Sequence, residues 1–567
     1  MTHRRVLILI DSIESDYQIE AISGVLRATC ASNANVAIVT GGWLGPDQQP
    51  TPRNFLYELI PGAAVDGMVV MAGSLSNQCG IEHFRTWLQK FKVPVVCMGI
   101  EIPGFTSVFV DNHVGTYAAI SHLIEHHGRR RIACLRGPEG SSEAAERYDA
   151  YVRALSAHEL SVNADLTCMA PIFAREDGVA GVATLFDDRA LKLTDIDAIS
   201  CVNDDVALGA MEALNRRGVR VPEQIAIIGF DDNANARAAN PPLTTVNQRV
   251  ELQGYTAGRA LIEMLETGLP GPSQRLDSVA VVRASCGCLI PNQNDSRGIE
   301  VNSRARSFAI AFLDRQVTLA AEMARAAAGR LGKQHGWEEK LLRALASELQ
   351  TGDGLFRLAL ENVARKAISG GGNVDACNDV LTSVRLQVLA IVVSTPELRP
   401  RIEDMFQEAR LMLTNVGLSA YRDRDQAATD HLRNISKACM ATLATQETTS
   451  LSHALSAHLP PLGVAACSIS RLNTASRRGP QLEIVARLSP DFVASKSPAL
   501  SLSSLGIDQT LQHRAAVVLM PLEFNQRPVG LAGFAWGAHN PMTYELLREW
   551  LSVAVYASDA QNGITRA

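Results

Sequence analysis

Short apolar segments alternate with longer amphipathic segments through roughly the first 290 residues, and this alternation constrains the fold more than any other feature. The apolar segments, rich in Val and Ile, lie at 6–10, 36–40, 67–71, 93–98, 131–135, 199–202 and 225–230. The amphipathic segments lie at 17–29, 115–127, 143–158, 206–217 and 250–266. Because parallel strands need long crossover connections, the pattern predicts parallel, doubly wound sheets. The strands are too numerous for one small sheet, so we predict two α/β lobes.

Polar pairs directly follow four apolar segments of this region. They are Asp11-Ser12, Asp111-Asn112, Asn203-Asp204 and Asp231-Asp232. In open α/β sheets, ligands bind outside the carboxyl ends of the strands, where side chains from several loops converge. Any one of these residues could instead be a helix cap or a turn former. Four such pairs at strand ends favour a polar ligand cleft between the lobes.

Five motifs occur in order within this region. They are Val-Asp-Asn-His-Val-Gly at 110–115, Gly-Pro at 137–138 followed by Arg147, Cys-Val-Asn-Asp-Asp-Val-Ala-Leu-Gly-Ala at 201–210, Ile-Gly-Phe-Asp-Asp at 228–232, and Pro-Pro-Leu-Thr-Thr-Val-Asn-Gln at 241–248. In this combination residues 4–285 resemble the effector-binding domain of the LacI/GalR repressors, which is itself similar to the periplasmic sugar-binding proteins. The resemblance implies a two-lobed periplasmic-binding-protein-like fold that closes on a small polar molecule, a sugar or a related metabolite.

The resemblance also implies which side chains contact the ligand. Arg147, Asn203 and Asp231 occupy positions that hydrogen-bond sugar hydroxyls or the polar groups of a purine in the family. Gln248 occupies a further contact position, and Phe173 a position where an aromatic ring often stacks on the ligand. Carboxylates accept hydroxyl hydrogens, and guanidinium presents a planar fork of donors. Each residue also has an alternative interpretation. Arg147 could be a helix-surface arginine and Asp231 a turn former. Gln248 could be a solvated hinge residue and Phe173 a core aromatic ring.

Asp11, at the end of the first predicted strand, is a further candidate ligand contact. The candidate hinge residues are Asp111, Asn112, Thr244 and Thr245. A ligand drives closure only through a higher affinity for the closed state, and hinge motion at a few crossover residues is the usual route.

Repressors of this family carry a helix-turn-helix and a hinge helix ahead of the first strand of the effector-binding domain. Here that strand begins at Val6, so we expect no direct DNA binding by this polypeptide alone. The charge agrees, because 53 Lys+Arg and 59 Asp+Glu give a net charge of −6, whereas nucleic-acid-binding domains are usually basic. Two rival hypotheses stay open: a LacI-type DNA-binding transcriptional regulator, and a sugar-metabolising enzyme that uses the strand-end acids.

The composition changes near residue 290. Residues 291–298 indicate a polar linker, and residues 291–445, rich in Ala, Leu, Arg and Glu, predict a helical relay region after the ligand-binding domain of residues 1–290. Residues 402–443 could form one long helix, with a partial heptad seam at Ile402, Met405, Ala409, Met412 and Val416. Together with the family resemblance, this seam predicts a homodimer.

Residues 446–567 predict a small α+β domain. Strand-like segments at 464–472, 482–488, 515–522 and 529–536, a turn at 525–528 and a helix at about 542–560 indicate an antiparallel sheet with a closing helix. Residues 430–560 resemble a GAF domain in the apolar strand at 517–522, in Gly-Leu-Ala-Gly-Phe-Ala-Trp at 530–536 and in the closing helix. We expect a dimerisation or relay domain with a downstream signalling partner; ligand sensing is the alternative.

The remaining patterns predict no catalytic residue, metal or cofactor. Eleven cysteines without an export signal indicate reduced thiols and a cytoplasmic protein. Cys286-Gly-Cys288 brings two thiols together, but structural zinc needs a second pair of ligands, so we expect reduced cysteines there. His126 and His127 precede three arginines and predict a solvated helix end, with a phosphate or nucleic-acid patch as the alternative. Every apolar run is too short to span a membrane.

Overall fold

The structure is a computed structural model of the chain. It describes residues 4–32, 34–45, 51–61, 65–76, 78–288, 312, 315–327, 330–331, 334–351, 354–370, 374–392, 399–443, 448–473, 481–488, 516–537 and 540–561. The chain forms two compact units, one of residues 1–289 with 433–567 and one of residues 290–432. The linker predicted at 291–298 and the boundaries predicted near 290 and 445 lie outside the described residues. The division into domains 1–290, 291–445 and 446–567 therefore stays a prediction.

Residues 4–286 contain twelve described strands and ten described α-helices. The strands are β1 (Arg4–Ile10), β2 (Ala34–Thr40), β3 (Gly67–Met71), β4 (Val95–Gly99), β5 (Thr106–Asp111), β6 (Ile132–Arg136), β7 (Thr167–Met169), β8 (Ala198–Cys201), β9 (Ala226–Ile228), β10 (Thr245–Asn247), β11 (Gln274–Asp277) and β12 (Val279–Val281). The helices are α1 (Asp16–Cys30), α2 (Phe55–Glu58), α3 (Ala72–Ser76), α4 (Ile81–Leu88), α5 (Asn112–His127), α6 (Ser142–Ala157), α7 (Arg175–Ala183), α8 (Asp204–Arg216), α9 (Ala234–Ala238) and α10 (Val250–Thr267).

These elements form two lobes, each built on a parallel sheet. The first sheet has the order β11-β5-β4-β3-β1-β2, and the second has the order β7-β6-β8-β9. Residues Val6 to Ile10 of β1 are all buried, as expected for a strand covered on both faces. The predicted α/β class with parallel, periplasmic-binding-protein-like lobes is confirmed.

The chain passes between the lobes at three places. It leaves the first sheet at the end of β5 and enters α5, it returns between β10 and α10, and it crosses again between β11 and β12. The second and third crossings are joined, because β10 and β12 pair as a two-stranded antiparallel sheet. The sequence pattern did not predict β5, β7, β10, β11 or β12, and three of these strands are only three residues long.

The second unit is helical in its described residues. Its helices are α11 (Gln316–Ala327), α12 (Trp337–Thr351), α13 (Leu355–Ser369), α14 (Asp375–Val392) and α15 (Arg399–Leu443), the last of which continues into the larger unit. Along α15 the side chains of Ile402, Ala409 and Val416 are buried in the apolar core of this unit, and Met405 and Met412 pack against it. The heptad seam thus packs inside the unit, so it no longer supports the predicted homodimer.

The C-terminal segment contributes strands to the sheet of the first lobe. It contains α16 (Thr448–His458), β13 (Cys467–Asn473), β14 (Gln481–Leu488), β15 (Val517–Phe524), β16 (Arg527–Ala535) and α17 (Met542–Gln561). The four strands are antiparallel to one another, and β15 also pairs in parallel with β2, with Val518 opposite Ile38. The hydroxyl of Thr40 donates to the carbonyl of Leu519 at 3.2 Å. One ten-stranded sheet therefore runs through both segments.

A two-residue turn joins β15 to β16. Asn525 and Gln526 join β15 to β16 with φ of 48° and 59°, as a type I′ hairpin turn requires. Among the helices that the structure describes, none is long and apolar enough to cross a membrane.

Candidate ligand site at the interlobe cleft

Acidic side chains from both lobes converge at the carboxyl ends of the strands. Asp11 follows β1 in the first lobe, Asp231 follows β9 in the second, and Glu143 lies in the first turn of α6. Burial, and then the charges of Glu143, Asp231 and Asp11, raise the pKa of Tyr17 on α1 above its usual range, so acids of both lobes act on one phenol. Glu143 Oε2 lies 3.5 Å from the position that a Cβ atom would occupy at Gly73 of the first lobe. The cleft is therefore lined by acids of both lobes.

Arg147 is held in this cleft from several sides. The residue is 8% exposed, and its guanidinium carbon lies 3.7 Å from the centroid of the Phe230 ring. Its Nε donates to Oδ1 of Asn112 at 3.0 Å, and its Nη1 donates to the carbonyl of Val202 at 3.0 Å. Its Nη2 lies 3.8 Å from Oε1 of Glu143. The alternative of a helix-surface arginine is wrong, because this guanidinium is buried among fixed partners.

Asp231 and Gln248, two predicted ligand contacts, hydrogen-bond each other. Nε2 of Gln248 donates to Oδ1 of Asp231 at 2.7 Å, and the Asp231 amide donates to the carbonyl of Val246 at 2.8 Å. Asp231 has φ of 126°, a region that non-glycine residues rarely occupy. Burial raises the pKa of its carboxyl well above the usual range; Arg147 opposes this effect and the charge of Asp204 adds to it. Gln248 is buried, so the alternative of a solvated glutamine is wrong.

Asn203 and Phe173 occupy the rim of the second lobe. Oδ1 of Asn203 accepts from the amide of Val206 at 3.0 Å and so caps α8, while Nδ2 donates to the Phe173 carbonyl at 2.9 Å. Phe173 has φ of 59° and is half-buried, and its Cε1 atom lies 3.0 Å from the position of a Cβ atom at Gly137. The cap is therefore one role of Asn203, and ligand contact by either residue stays a prediction.

Asp11 presents an acceptor toward the cleft. Its Oδ1 is buried and has no hydrogen-bond partner within the part of the chain that the structure describes. Its Oδ2 accepts from Nε2 of Gln18 at 3.4 Å. Burial raises the pKa of this carboxyl, and the polar side chains of Ser74 and Gln18 oppose the rise. Since buried carboxylate oxygens are normally paired, Oδ1 is suited to accept a hydrogen bond from a ligand.

The predicted hinge residues Asp111 and Asn112 lie at the first crossing. Oδ1 of Asp111 caps α5 by accepting from the amide of His113 at 2.8 Å, and Oδ2 forms an ion pair with Nε of Arg275 at 3.0 Å. Ser278, at the third crossing, donates its hydroxyl to the Asp111 carbonyl. Side-chain contacts therefore join the first crossing to the third.

Thr244 and Thr245, the other predicted hinge residues, are fully buried. The Thr244 amide donates to Oγ of Ser285 at 2.7 Å, and the Thr245 hydroxyl donates to Oδ1 of Asp204 at 2.5 Å. Oδ2 of Asp204 accepts from the amide of Asn233 at 2.9 Å. Burial raises the pKa of Asp204 to about 7. These residues tie β10 to the strand ends of the second lobe.

Comparison with known proteins agrees with this geometry. The profile of the periplasmic binding protein-like domain matches residues 120–286. The HTH-type transcriptional regulator CelR of Thermobifida fusca is 34% identical over 210 residues, which are 36% of this chain and 58% of CelR. The HTH-type transcriptional repressor CytR of Escherichia coli strain K12 is 28% identical over 288 residues, which are 50% of this chain and 80% of CytR. Residues 4–285 form a LacI/GalR-type effector-binding domain.

A solved structure is also similar to this domain. The transcriptional regulator CelR–cellobiose complex is 27% identical, with a TM-score of 0.44, over 50% of this chain and 85% of that chain. The curated relatives CelR and the PurR repressor of Haemophilus influenzae strain PittEE are matched over 58% and 59% of their lengths. These matches concern the LacI/GalR-type domain, and the resemblance of residues 430–560 to a GAF domain stays a prediction.

Sequence reasoning missed two residues of the cleft in this LacI/GalR-type domain. Glu143 lies one turn before Arg147 on α6, a spacing that pairs charges on one helix face and could have identified it. Tyr17 lies on α1 of the other lobe, where no local pattern distinguishes it from a core residue. Its place beside acids of the other lobe arises from tertiary packing, which the sequence does not encode locally.

Proposed function

We propose that the protein is a ligand-sensing regulatory protein that binds a small polar metabolite of the sugar class between its two lobes. The observation that carries the proposal is the convergence of Asp11 and Tyr17 of the first lobe with Glu143, Arg147 and Asp231 of the second. Groups from both lobes that meet in one cleft allow a ligand to favour the closed state. The names of the similar proteins, all transcriptional regulators or repressors, support regulation rather than catalysis.

The charges in the cleft indicate which ligands fit. Asp11, Glu143 and Asp231 present carboxyl oxygens, whereas Arg147 presents a guanidinium that Asn112 and Val202 already engage. Hydroxyl groups donate to carboxylates, and a bound anion would be repelled by them. A neutral sugar or nucleoside therefore fits better than its phosphate ester.

A group of ion pairs provides a route from the cleft to the C-terminal strands. Nε of Arg53 lies 3.0 Å from Oε1 of Glu523 on β15, and Arg548 on α17 lies 3.8 Å from the same oxygen. Glu14, three residues after Asp11, has its pKa raised by burial and by the charge of Glu545. We infer that lobe closure alters these contacts and so reaches the C-terminal segment, which would act as the relay or output.

A thermal-shift screen tests the proposed function. The probes are neutral mono- and disaccharides, nucleosides and the matching phosphate esters, each added to the full chain. A ligand that binds only the folded state raises the apparent melting temperature, and we expect this from a neutral sugar or nucleoside. No shift with any probe, or shifts only with the phosphate esters, would contradict the proposal.

Direct DNA binding is the second candidate, because CelR, CytR and PurR are named as HTH-type proteins. A gel-shift assay of the pure chain at physiological salt discriminates between the two: specific nanomolar binding would favour the DNA-binding regulator. Turnover of a bound sugar would favour the enzyme hypothesis.

A homodimer and a cytoplasmic location also belong to the proposal, on the basis of the family resemblance. Light scattering after size-exclusion chromatography measures the oligomeric state.

A further inference from the structure

Two histidines and two cysteines of the second lobe lie close together near the C-terminal end of α5, whereas the interlobe cleft lies at its N-terminal end. His122 and His127 lie in the last two turns of α5, and Cys286 and Cys288 follow β12. Their four potential ligand atoms all lie within 4.8 Å of one another. The two pairs are more than 150 residues apart in sequence, so the fold supplies the second pair that Cys286-Gly-Cys288 lacks on its own.

The distances match the geometry of a four-coordinate metal. Nε2 of His122 lies 3.4 Å from Sγ of Cys286 and 3.4 Å from Sγ of Cys288, and Nε2 of His127 lies 3.3 Å from Sγ of Cys288. In tetrahedral zinc sites, Zn–S bonds of about 2.3 Å and Zn–N bonds of about 2.0 Å place ligand nitrogen and sulfur atoms roughly 3.5 Å apart. Both imidazoles thus turn the same ring nitrogen toward the thiols at nearly the required separation.

The backbone between the cysteines favours this arrangement. Gly287 has φ of 109°, a backbone conformation that residues other than glycine rarely adopt. A Cβ atom there would lie 3.1 Å from Nδ1 of His127. Cys286 is fully buried, while Cys288 and both histidines are half-buried. The glycine lets the imidazole approach the turn, and the partial exposure leaves a path for an ion to enter.

We propose that His122, His127, Cys286 and Cys288 bind one divalent transition-metal ion, best matched by Zn²⁺, as a structural site. Binding converts both thiols to thiolates, with two protons released to solvent, and uses the lone pairs of two neutral imidazoles. The two thiolate charges then balance the charge of the ion. All four coordination positions are filled by protein, as in structural rather than catalytic zinc sites.

The position of the site gives the ion a specific mechanical role. α5 begins at Asn112, the first crossing between the lobes, and Cys288 immediately precedes the end of the larger unit's first segment at Leu289. The ion therefore links the segment at Cys286–Cys288, where the chain leaves the sensor domain, to α5, which begins at the predicted hinge. This role is independent of which ligand, if any, occupies the cleft.

Metal analysis of the full-length protein tests the site. Protein expressed with added zinc and purified under reductant should contain about one zinc per chain, measured by plasma mass spectrometry. We expect His122→Ala, His127→Ala and Cys288→Ser each to weaken zinc affinity by more than about tenfold and so to lower the zinc content, because loss of an outer-shell partner alone costs about 10–100-fold in metal affinity. His126→Ala and Cys30→Ser are the matched controls, since both residues are exposed and outside the four-residue group.

Two further readouts keep the test decisive. Circular dichroism shows whether each variant folds, and Cys288→Ser, which changes a half-buried side chain, is the primary variant because Cys286 is fully buried. Replacement of zinc by Co²⁺ should give the visible absorption of a tetrahedral cobalt–thiolate centre, which the same variants lose. Another divalent transition metal at the same stoichiometry, lost in the same variants, supports the site. Metal-free wild-type protein, unchanged zinc in the folded variants, or a Cys286–Cys288 disulfide under reductant overturns it.

Discussion

Nε of Arg147 donates a hydrogen bond to Oδ1 of Asn112 at 3.0 Å, so a predicted ligand contact and a predicted hinge residue touch directly. Both side chains are buried, and Nδ2 of Asn112 also donates to Glu146 at 2.9 Å. Asn112 is the first residue of α5, at the first crossing between the lobes. A ligand that moves the guanidinium therefore acts on the hinge through one side-chain contact.

Replacement of Asn112 by Ala should weaken ligand binding although Asn112 itself is not a predicted ligand contact. A hydrogen bond to a charged group contributes about 1.5–3 kcal/mol, so we expect at least about tenfold weaker binding of the best sugar from the screen. Titration calorimetry measures the affinity. Arg153→Ala, an exposed substitution on α6, the helix that carries Arg147, is the control and should bind normally. Equal affinities for Asn112→Ala and the control would show that Arg147 is positioned without Asn112.

Asp204 should make stability depend on pH. Its pKa rises from 3.8 to about 7 in the folded protein because the carboxyl is buried, so the native state binds the proton more tightly than the unfolded state. The stability that protonated Asp204 contributes is fully present below about pH 4 and is lost as pH rises through about 7. Urea unfolding of wild-type protein at pH 5, 6, 7 and 8 should therefore show falling stability relative to Asp204→Asn.

The comparison with Asp204→Asn removes this carboxyl and its effect on the pKa of Asp231, while the carboxyls of Asp231 and Glu143 remain in both proteins. A difference in unfolding free energy that stays constant across this pH range would mean that Asp204 is ionised throughout. The hydrogen bonds from Thr245 and Asn233 would then outweigh its burial.

Gly115 should be sensitive to a single added methyl group. A Cβ atom there would collide with Cγ1 of Val246 and lie 2.7 Å from Oγ of Ser278, both in segments that cross between the lobes. We expect Gly115→Ala to destabilise the protein by about 1–3 kcal/mol, as overpacking usually does. Gly140→Ala is the control, since nothing lies within 4 Å of its added Cβ. If Gly115→Ala and Gly140→Ala lowered the melting temperature equally, the result would contradict the close approach of Gly115 to Val246 and Ser278.

Arg53 and Glu523 should be energetically coupled although they are 470 residues apart in sequence. The pair lies 3.0 Å apart and is about one quarter exposed, and Arg548 lies nearby, so a double-mutant cycle should give about 1 kcal/mol. The exposed pair Arg85–Glu82 on α4, also 3.0 Å apart, should give less than about 0.5 kcal/mol. No coupling between Arg53 and Glu523 would remove the proposed route to the C-terminal strands.

Sequence reasoning succeeded where the information is local. The Val- and Ile-rich segments predicted β1, β3 and β8 within about two residues, because strands buried on both faces are continuous apolar runs. Asp231 was predicted from its place at a strand end, whereas Arg147 was predicted from the resemblance to the LacI/GalR domain, and ligand contact by either residue stays a prediction.

Contacts between distant segments could not be predicted in this way. The pairing of β15 with β2 joins segments far apart in the chain, and either strand alone is compatible with an exposed edge. His122 lies more than 150 residues from Cys286, and each pair taken alone indicates an ordinary helix end or two free thiols. Both relationships arise from tertiary packing, for which one sequence carries no spacing pattern.

Titration calorimetry of the best neutral sugar from the screen against wild-type protein and Asp231→Asn tests the central claim most directly. Asn keeps the size of Asp231 but removes the carboxylate that Gln248 contacts in the cleft. Asp165→Asn, an exposed change in the same lobe, is the control. We predict about 10- to 100-fold weaker binding for Asp231→Asn, since loss of a hydrogen bond that involves a charged group removes about 1.5–3 kcal/mol, and no change for the control. Equal affinities of all three proteins would contradict the assignment of the ligand to this cleft.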